Sequence, residues 1–550
     1  MDPFFVDFGW LITSFVIGVF LGCLTGLIPG FHVNNVALIA LSLSPIAVGL
    51  GIPLDAVAGI IVATGTVHTF LNYIPSALVG APDDNMALAL LPGHRMLVSG
   101  QAAQGVAYSA RGSQMGMMMS IPLLIVARLM FGKEPGLGLY EASREVLPWL
   151  LLFISIFLIT TETTRLPWPV WVQNLTKNLR WKLPKKFELS IPIGKSRIYR
   201  SWEYLDFTFG SSSRIAGILV ATAFFCLSGF YGWAVFELPG RSPIGMPSAT
   251  LLFPGLAGLF GIANLIDIYV TTSEIPPQEP NWEMPKMRPL AVPTFLSAIV
   301  SSVMAILPGM TAAQATVVVM SMRNFWGRLT DPNYVPADFE HGTQDFPKKS
   351  SSSIYEGLDD LSDEEAALFS AALEEAGDTS EDDFASRSQQ QDLEIIAILS
   401  SVNTAVTVMV LGFLYMVGRP RSGAALALNM MYPIDIWNGI EPPSDFIRLL
   451  GITIGAGLFA VPVMIRVGKG MLRVHEMVPL RTLVGAVTLL VTVLVWLSTG
   501  WIGVGVLMIG TQLGLMPPRI GIRRSHAMGI ILVPIMLYTF AQQFDGFGFI

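Results

Sequence analysis

Apolar residues fall in runs of about 20, the length a helix needs to cross the hydrocarbon core of a bilayer, and polar residues gather between the runs. The pattern predicts spans at 8–28, 33–50, 54–74, 113–131, 146–163, 214–237, 248–269, 291–307, 393–417, 444–465, 481–499, 501–517 and 526–543. Two of these runs share a finer pattern. Gly18, Gly22, Gly26 and Gly30 recur every fourth position in GVFLGCLTGLIPGFHVNN, and Ser297, Ser301, Ala305 and Gly309 do so in SAIVSSVMAILPGMTAAQ. Pro29 thus answers to Pro308 and Asn35 to Gln314. Such spacing keeps the small residues on one helix face, where backbones approach closely inside a bilayer. The proline then ends the ladder by removing an N–H and clashing with the preceding turn. Duplicated, Pro/Gly-interrupted segments at matching places in two halves point to a transporter's substrate site. Helix packing with a proline kink is the plainer explanation of either copy alone.

The expected fold is an all-α polytopic membrane protein, with about 12 transmembrane helices in two inverted repeats containing Pro-Gly broken helices. Composition agrees. Hydrophobic residues make up 52% of the 550 and charged residues 13%, and mean hydropathy is +0.58, which excludes a soluble domain of this size. The run at 8–28 lacks a basic n-region and a cleavage pattern, so it is expected to stay in the mature protein. Cys23 and Cys226 lie inside apolar runs and suggest neither a disulfide nor a metal site.

Basic residues in short loops mark the cytoplasmic side. The densest run spans Arg165 to Arg214, and smaller ones hold Arg466, Lys469, Arg473 and Arg481, then Arg519, Arg523 and Arg524. Counting spans from these loops places the N-terminus and first broken pair outside and the second pair inside, which inverts the halves; Arg419 and Arg421 fall on the wrong side of that count. The implied organisation is a first repeat at 1–163, a basic and aromatic cytoplasmic loop at 164–213, and connecting helices at 214–290. The second repeat takes 291–328 and 392–550, with an acidic cytoplasmic insertion at 329–391 between its parts. Net charge is -7, and it is local to that insertion.

Within the insertion, Ser362 and Glu365 form a capping box for a short helix that Gly377 closes; a solvated linker or a docking element are the alternatives. In the basic loop, Trp168, Trp171, Trp181 and Trp202 interleave with cations, which suits an anionic membrane surface rather than nucleic acid. Gly194-Lys195-Ser196 resembles the end of a phosphate-binding loop, but Leu189 stands where the first glycine belongs, which excludes an ATPase.

Each Pro-Gly break frees carbonyls at one half-helix end and N–H groups at the next. Carbonyl ends favour Na⁺ or H⁺ and N-terminal ends favour carboxylate or phosphate. Candidate substrate-binding residues are therefore Pro29, Gly30, Asn34 and Asn35 in the first copy and Pro308, Gly309, Thr311 and Gln314 in the second. Segment 64–112 is too broken to be a simple span and too apolar to be an ordinary loop, so it is expected to line the same cavity. It supplies Asn72 for substrate and Thr66, His68, Asp83 and Asp84 for ion coupling, with Asn85, Arg95 and Arg111 as further candidates and His32 beside the first break. Ionisable groups at membrane depth need a partner or water; the two aspartates sit equally well in interfacial water, and each histidine is either a proton relay or a hydrogen-bonded packing residue. Val402-Asn403-Thr404 parallels Val67-His68-Thr69, which adds Asn403 and Thr404 to the substrate set. No metal-ligand or nucleophile–base spacing appears in the spans, so neither an enzyme nor a cofactor beyond the coupling ion is expected.

GLIPGFHVNNVALIAL, the stretch from His68 to Ala110 and ILPGMTAAQ resemble the hallmark turns of the large permease subunit of tripartite tricarboxylate transporters. The resemblance maps the first turn onto Pro29-Gly30, the second onto Ile74-Pro75-Ser76 and the repeat copy onto Pro308-Gly309. It implies a secondary transporter for carboxylates in the plasma membrane, served by a small membrane subunit and an extracytoplasmic solute-binding protein. His32-Val33 replaces the family's Gly-Pro, Ser76 replaces a glycine, and the acidic insertion is foreign, which marks a divergent member of the archaeal kind. A polyprenyl-phosphate or other lipid-carrier translocase, and a membrane scaffold whose insertion recruits partners, are the rival readings.

Overall fold

The computed structural model describes residues 3–28, 33–78, 90–160, 162, 164, 166–167, 186–193, 196–203, 212–243, 251–271, 276–306, 312, 315–316, 318–320, 322–323, 363–478 and 480–543. In chain order the elements are α1 (Pro3–Leu27), α2 (Val33–Gly49), α3 (Leu54–Leu71), α4 (Tyr73–Leu78), α5 (Leu90–Val98), α6 (Ala102–Phe131) and α7 (Leu139–Thr160). Then come β1 (Leu166–Pro167), β2 (Lys186–Ile193), β3 (Ser196–Glu203), β4 (Ser212–Ser213), α8 (Arg214–Glu237), α9 (Leu252–Leu256), a π-helical turn (Ala257–Ile262) and α10 (Ala263–Thr271). The rest comprises α11 (Met287–Met304), α12 (Asp363–Val417), α13 (Gly423–Met431), α14 (Ser444–Met477), α15 (Leu480–Gly514), α16 (Met516–Ile520), a 3-10 turn (Arg524–Met528) and α17 (Gly529–Gln543).

The protein is an all-α polytopic membrane protein. Among the described residues nine helices are long and apolar enough to cross a membrane, and Glu145–Thr160 and Leu252–Asp267 are shorter apolar helices. The span predicted at 33–50 is the 17-residue α2, which carries Pro45. The spans predicted at 481–499 and 501–517 are two stretches of α15, divided where Gly500 takes φ 69° and ψ -159°, a region only glycine occupies without strain. A side chain there would also stand 2.7 Å from the Arg241 carbonyl oxygen.

Two helices form the centre. The spans Leu54–Leu78 and Gln389–Val417 are each 83% buried, against 33–50% for the other seven, which leave much of their surface exposed. The glycine ladder explains how α1 reaches the centre. A Cβ at Gly22 would stand 2.6 Å from the Val67 Cβ, and one at Gly26 would stand 2.8 Å from the Leu71 Cβ, so the backbones of α1 and α3 meet through bare glycine, running parallel. In the second half the ladder serves α12: Ser301 Oγ donates to the Val402 carbonyl at 3.4 Å, and Val402 is the residue that the sequence correspondence pairs with Val67.

Each central helix is also gripped by a helix of the other half. Along α6 and α12, Ser109 and Ser400 hydroxyls are 2.7 Å apart, Ser113 Oγ donates to the Ser400 carbonyl at 3.2 Å, and Gly112 and Gly116 lie against the backbones of Ala397 and Ser401. Gly59 of α3 faces Ile452 of α14. Gly457 meets Met117 while Gly468 meets Val106, so α6 and α14 pass each other in opposite directions. Helices α7 to α10 and α15 to α17 form a flanking bundle, in which Tyr231 Oη donates to the Val506 carbonyl at 2.6 Å and Ser228 Oγ to the Ala527 carbonyl at 2.7 Å.

Three local expectations need revision. Helix α6 begins at Ala102 rather than 113, because its small first turns pack on α12. The helix begins at Asp363, next to the capping box at Ser362, yet Gly377 does not close it and α12 runs unbroken to Val417. The basic loop holds structure beyond helices: β2 and β3 pair antiparallel from Lys186↔Glu203 to Ile193↔Ser196, and β1 pairs with β4 at its base.

Candidate functional site

The interruptions predicted from Pro-Gly are present in both halves. Helix α1 ends at Leu27 and α2 resumes at Val33; α11 ends at Met304 and helical backbone resumes at Ala312, the position that answers to Val33. Pro29, Gly30, His32, Pro308, Gly309, Thr311 and Gln314 lie outside the described residues, as do Asp83 and Asp84. Asn34 and Asn35 occupy the first turn of α2, and only their backbone is described. Helix ends thus stand on either side of both Pro-Gly positions.

The candidates on the central helices are brought together. Asn403 Nδ2 on α12 donates to the Thr69 carbonyl and to Asn72 Oδ1, each at 3.3 Å. Thr404 Oγ1 donates to Thr69 Oγ1 at 3.3 Å. Thr69 and Thr404 are the residues the internal repeat pairs, so the two halves touch through equivalent positions. The seam is dry: Asn72 is 1% exposed, Asn403 2% and Thr404 0%. It presents amide, hydroxyl and carbonyl groups with no charged side chain among them, and buried polar groups of this kind are retained only when hydrogen-bonded.

Thr66 and His68 share α3 with the seam and are equally buried. Thr66 spends its hydroxyl on the Val62 carbonyl at 2.9 Å and turns its methyl toward Gly457 of α14. The His68 carbonyl accepts from the Asn72 N–H at 3.0 Å, which continues α3 into α4. Segment 64–112 is thus helical to Leu78 and helical again over α5 and α6; Pro75 falls in the first turn of α4, where a missing N–H is tolerated.

Sequence reasoning missed Thr69 itself, the serine pair Ser109–Ser400, and Tyr73. The Tyr73 hydroxyl is fully buried beside Gly93 and Gly105 and has no hydrogen-bond partner among the described residues. A readable signal existed for the serines: Ser109, Ser113, Gly112 and Gly116 repeat the spacing of four seen in α1.

At the mouths of the central helices lie ion pairs. Arg95 of α5 holds Asp392 at the entry to the buried part of α12 through two hydrogen bonds, Nε to Oδ2 at 2.8 Å and Nη2 to Oδ1, and Arg323 holds Glu394 beside it. Asp55 in the first turn of α3 faces Arg448 of α14 at 3.4 Å. Elsewhere, Glu162 and His526 form a pair at 2.8 Å with both side chains fully buried.

Nine apolar helices of membrane-spanning length among the described residues, packed around a buried neutral polar seam, fit a polytopic membrane protein of the transporter class. The chain belongs to the tripartite tricarboxylate transporter TctA family, whose sequence profile matches residues 12–346 and 361–529. The family is that of the permease component, a transporter rather than an enzyme family, and the chain is a multi-pass integral protein of the plasma membrane. Among curated proteins it is similar to an uncharacterized protein of Methanocaldococcus jannaschii, 29% identical over 148 residues, which is 26% of this chain and 35% of that protein. The match thus spans about a third of the relative's length. No solved structure matches.

Proposed function

We propose that the chain is a secondary transporter of small organic anions, di- and tricarboxylates, driven by H⁺ or Na⁺. The observation that carries this reading is the contact of the two halves through Thr69, Asn72, Asn403 and Thr404, next to paired helix breaks. In this reading the repeats occupy 1–163 and 291–328 with 392–550, inverted relative to one another. Helix directions support inversion: α1 runs with α3, α11 with α12, and the equivalent α6 and α14 run opposite. The substrate carboxylates take the N–H groups freed at Pro29-Gly30 and Pro308-Gly309 together with Asn34, Asn35, Asn72, Thr311, Gln314, Asn403 and Thr404. Thr66, His68, His32, Asp83 and Asp84 remain the groups for ion coupling. A small membrane subunit and an extracytoplasmic binding protein complete the system.

The test is uptake of labelled di- and tricarboxylates into proteoliposomes under an imposed pH or sodium gradient, with and without added binding protein. Asn403→Leu removes the amide that joins Thr69 and Asn72 and is expected to lower uptake tenfold or more, about 1.4 kcal/mol or greater in the transport barrier, with unchanged yield of folded protein. Full uptake by Asn403→Leu would remove the seam from the pathway. His68→Gln separates the ions: it flattens the pH dependence if protons drive transport and leaves a sodium response intact if they do not.

Orientation is tested separately. A cysteine at Ser190 in β2, in a chain lacking Cys23 and Cys226, is expected to resist impermeant thiol reagents in right-side-out vesicles and to react after permeabilisation. Reaction from outside would overturn the inverted arrangement.

A further inference from the structure

Two arginine–aspartate pairs link the first half of the chain to the second, one on each central helix. Asp55 lies in the first turn of α3 and meets Arg448 of the second half; Asp392, where α12 becomes buried, meets Arg95 of the first half. Because α3 and α12 are the equivalent central helices and run in opposite directions past the Thr69–Thr404 contact, the pairs stand at opposite ends of the seam. When access alternates, one end of a transport pathway is shut while the other is open, so a difference between the contacts at the two ends reports which end is shut.

The two pairs differ sharply. Arg95 and Asp392 are joined by two hydrogen bonds, and their side chains are 22% and 7% exposed. A strap covers the turn beside them. Gln278 Nε2 donates to the Leu97 carbonyl at 2.9 Å, the Ala102 N–H donates to Gln278 Oε1 at 3.2 Å, and the Glu279 N–H donates to the Gly100 carbonyl at 2.7 Å. Lys469 lies 5.6 Å from the Trp282 ring, which ties the strap to α14. At the other end Arg448 and Asp55 are 49% and 39% exposed and 3.4 Å apart, and Arg448 is drawn away by Asp445 at 2.8 Å. There a cleft of ≈ 190 Å³ opens between α1, α3 and α14, lined by Trp10, Ser14, Asp55, Tyr432, Asp445 and Arg448.

We propose that Arg95–Asp392 is the gate at one end of the pathway and Asp55–Arg448 the gate at the other, with the described conformation shut at the first and open at the second. The inference rests on the transport reading only in assuming that a pathway exists. In the alternate state Asp55 and Arg448 close over the cleft while Arg95 and Asp392 part, the strap releasing with them. Arg95 and Asp392 act by setting this balance and need not touch the anion.

The experiment reads the balance without substrate. A cysteine at Leu11, which lines the cleft and is exposed, in a chain lacking Cys23 and Cys226, is labelled by an impermeant methanethiosulfonate from the Asp55 side. Neutralising the opposite gate with Arg95→Gln or Asp392→Asn is expected to slow labelling by about fivefold or more, since two-state populations shift by the free energy removed from one state. The exchanged pair, Arg95→Asp with Asp392→Arg, is expected to restore the original rate. Total labelling after denaturation normalises for folded protein. Unchanged rates in both neutral variants, or a slow rate that the exchange fails to restore, overturn the gate. Normal gating without anion uptake would defeat the transport reading alone.

Discussion

A chain carrying Gly116→Val is expected to yield no folded, monodisperse protein, whereas Gly451→Ala is expected to behave as the unmodified chain. A Cβ at Gly116 would stand 2.8 Å from the Ser401 Cα, and one at Gly112 2.7 Å from the Ala397 Cα. Those neighbours are backbone, so no rotamer change relieves the clash. Overpacking a core usually costs about 1–3 kcal/mol because side chains and backbone shift to make room. Here α6 and α12 must part, which also forfeits the Ser109–Ser400 and Ser113–Ser400 hydrogen bonds inside the buried interface. Gly451, by contrast, has nothing within 4 Å of the Cβ position. Size-exclusion profiles of detergent extracts decide the matter, and a monodisperse Gly116→Val protein would mean that the α6–α12 contact is not the close packing described.

That contact also shows what the sequence disclosed about the fold. The ladder Gly18, Gly22, Gly26 was readable as a close-packing face because spacing alone puts those residues on one side of a helix. What spacing does not encode is the partner. Each ladder serves a central helix of its own half, while α6 and α14 cross to grip the central helix of the other half, an exchange set by three-dimensional topology. The limits of α12 were hidden for a different reason. The residues after Gly377, DTSEDDFASRSQQQ, are mostly Asp, Ser and Gln and carry no strong helix signal, yet the helix runs on into the apolar stretch at 393–417, and a glycine inside a long helix costs only about 1 kcal/mol.

The seam was half legible. Echoing the first half in the second singled out Asn403 and Thr404, and both make contacts there. Thr69 was passed over because a threonine in an apolar run reads as a neutral helix residue that bonds its own backbone, as it also does to Thr66 at 2.8 Å. The gate pairs were legible only in part: Arg95 stands out as an ionisable group in a broken apolar segment, but its partner Asp392 stands 297 residues away, and spacing does not encode a contact over that distance.

Glu162→Gln is expected to destabilise the folded protein by about 1–3 kcal/mol at neutral pH, the cost of leaving a buried backbone N–H without its acceptor. Glu162 Oε1 accepts from the Thr164 N–H at 2.8 Å, while Oε2 accepts from the Arg523 N–H at 3.0 Å and sits 2.8 Å from His526 Nε2. An amide in either orientation turns its NH₂ toward a backbone N–H, so no flip rescues the variant. The pair also closes the base of the basic loop, because Arg214 Nε donates to the Glu162 carbonyl at 2.7 Å and Nη2 to the Thr160 carbonyl at 2.9 Å. Burial pushes the Glu162 carboxyl up, but the hydrogen bonds from His526, Thr164 and Arg523 outweigh it and hold the group well below the usual carboxylate range. A depressed folded-state value contributes stability that is present above the unfolded value, about 4.3 for glutamate, and is lost as pH falls toward the folded one. The gap in thermal midpoint between the unmodified chain and Glu162→Gln should therefore hold steady from pH 7 to pH 5 and narrow in more acid solution. His526→Gln, which keeps a donor toward the carboxylate, should cost less than Glu162→Gln. A gap that widens in acid would mean that Glu162 is protonated in the folded protein, and the pair would then be a neutral hydrogen bond rather than the clamp on which the loop closes.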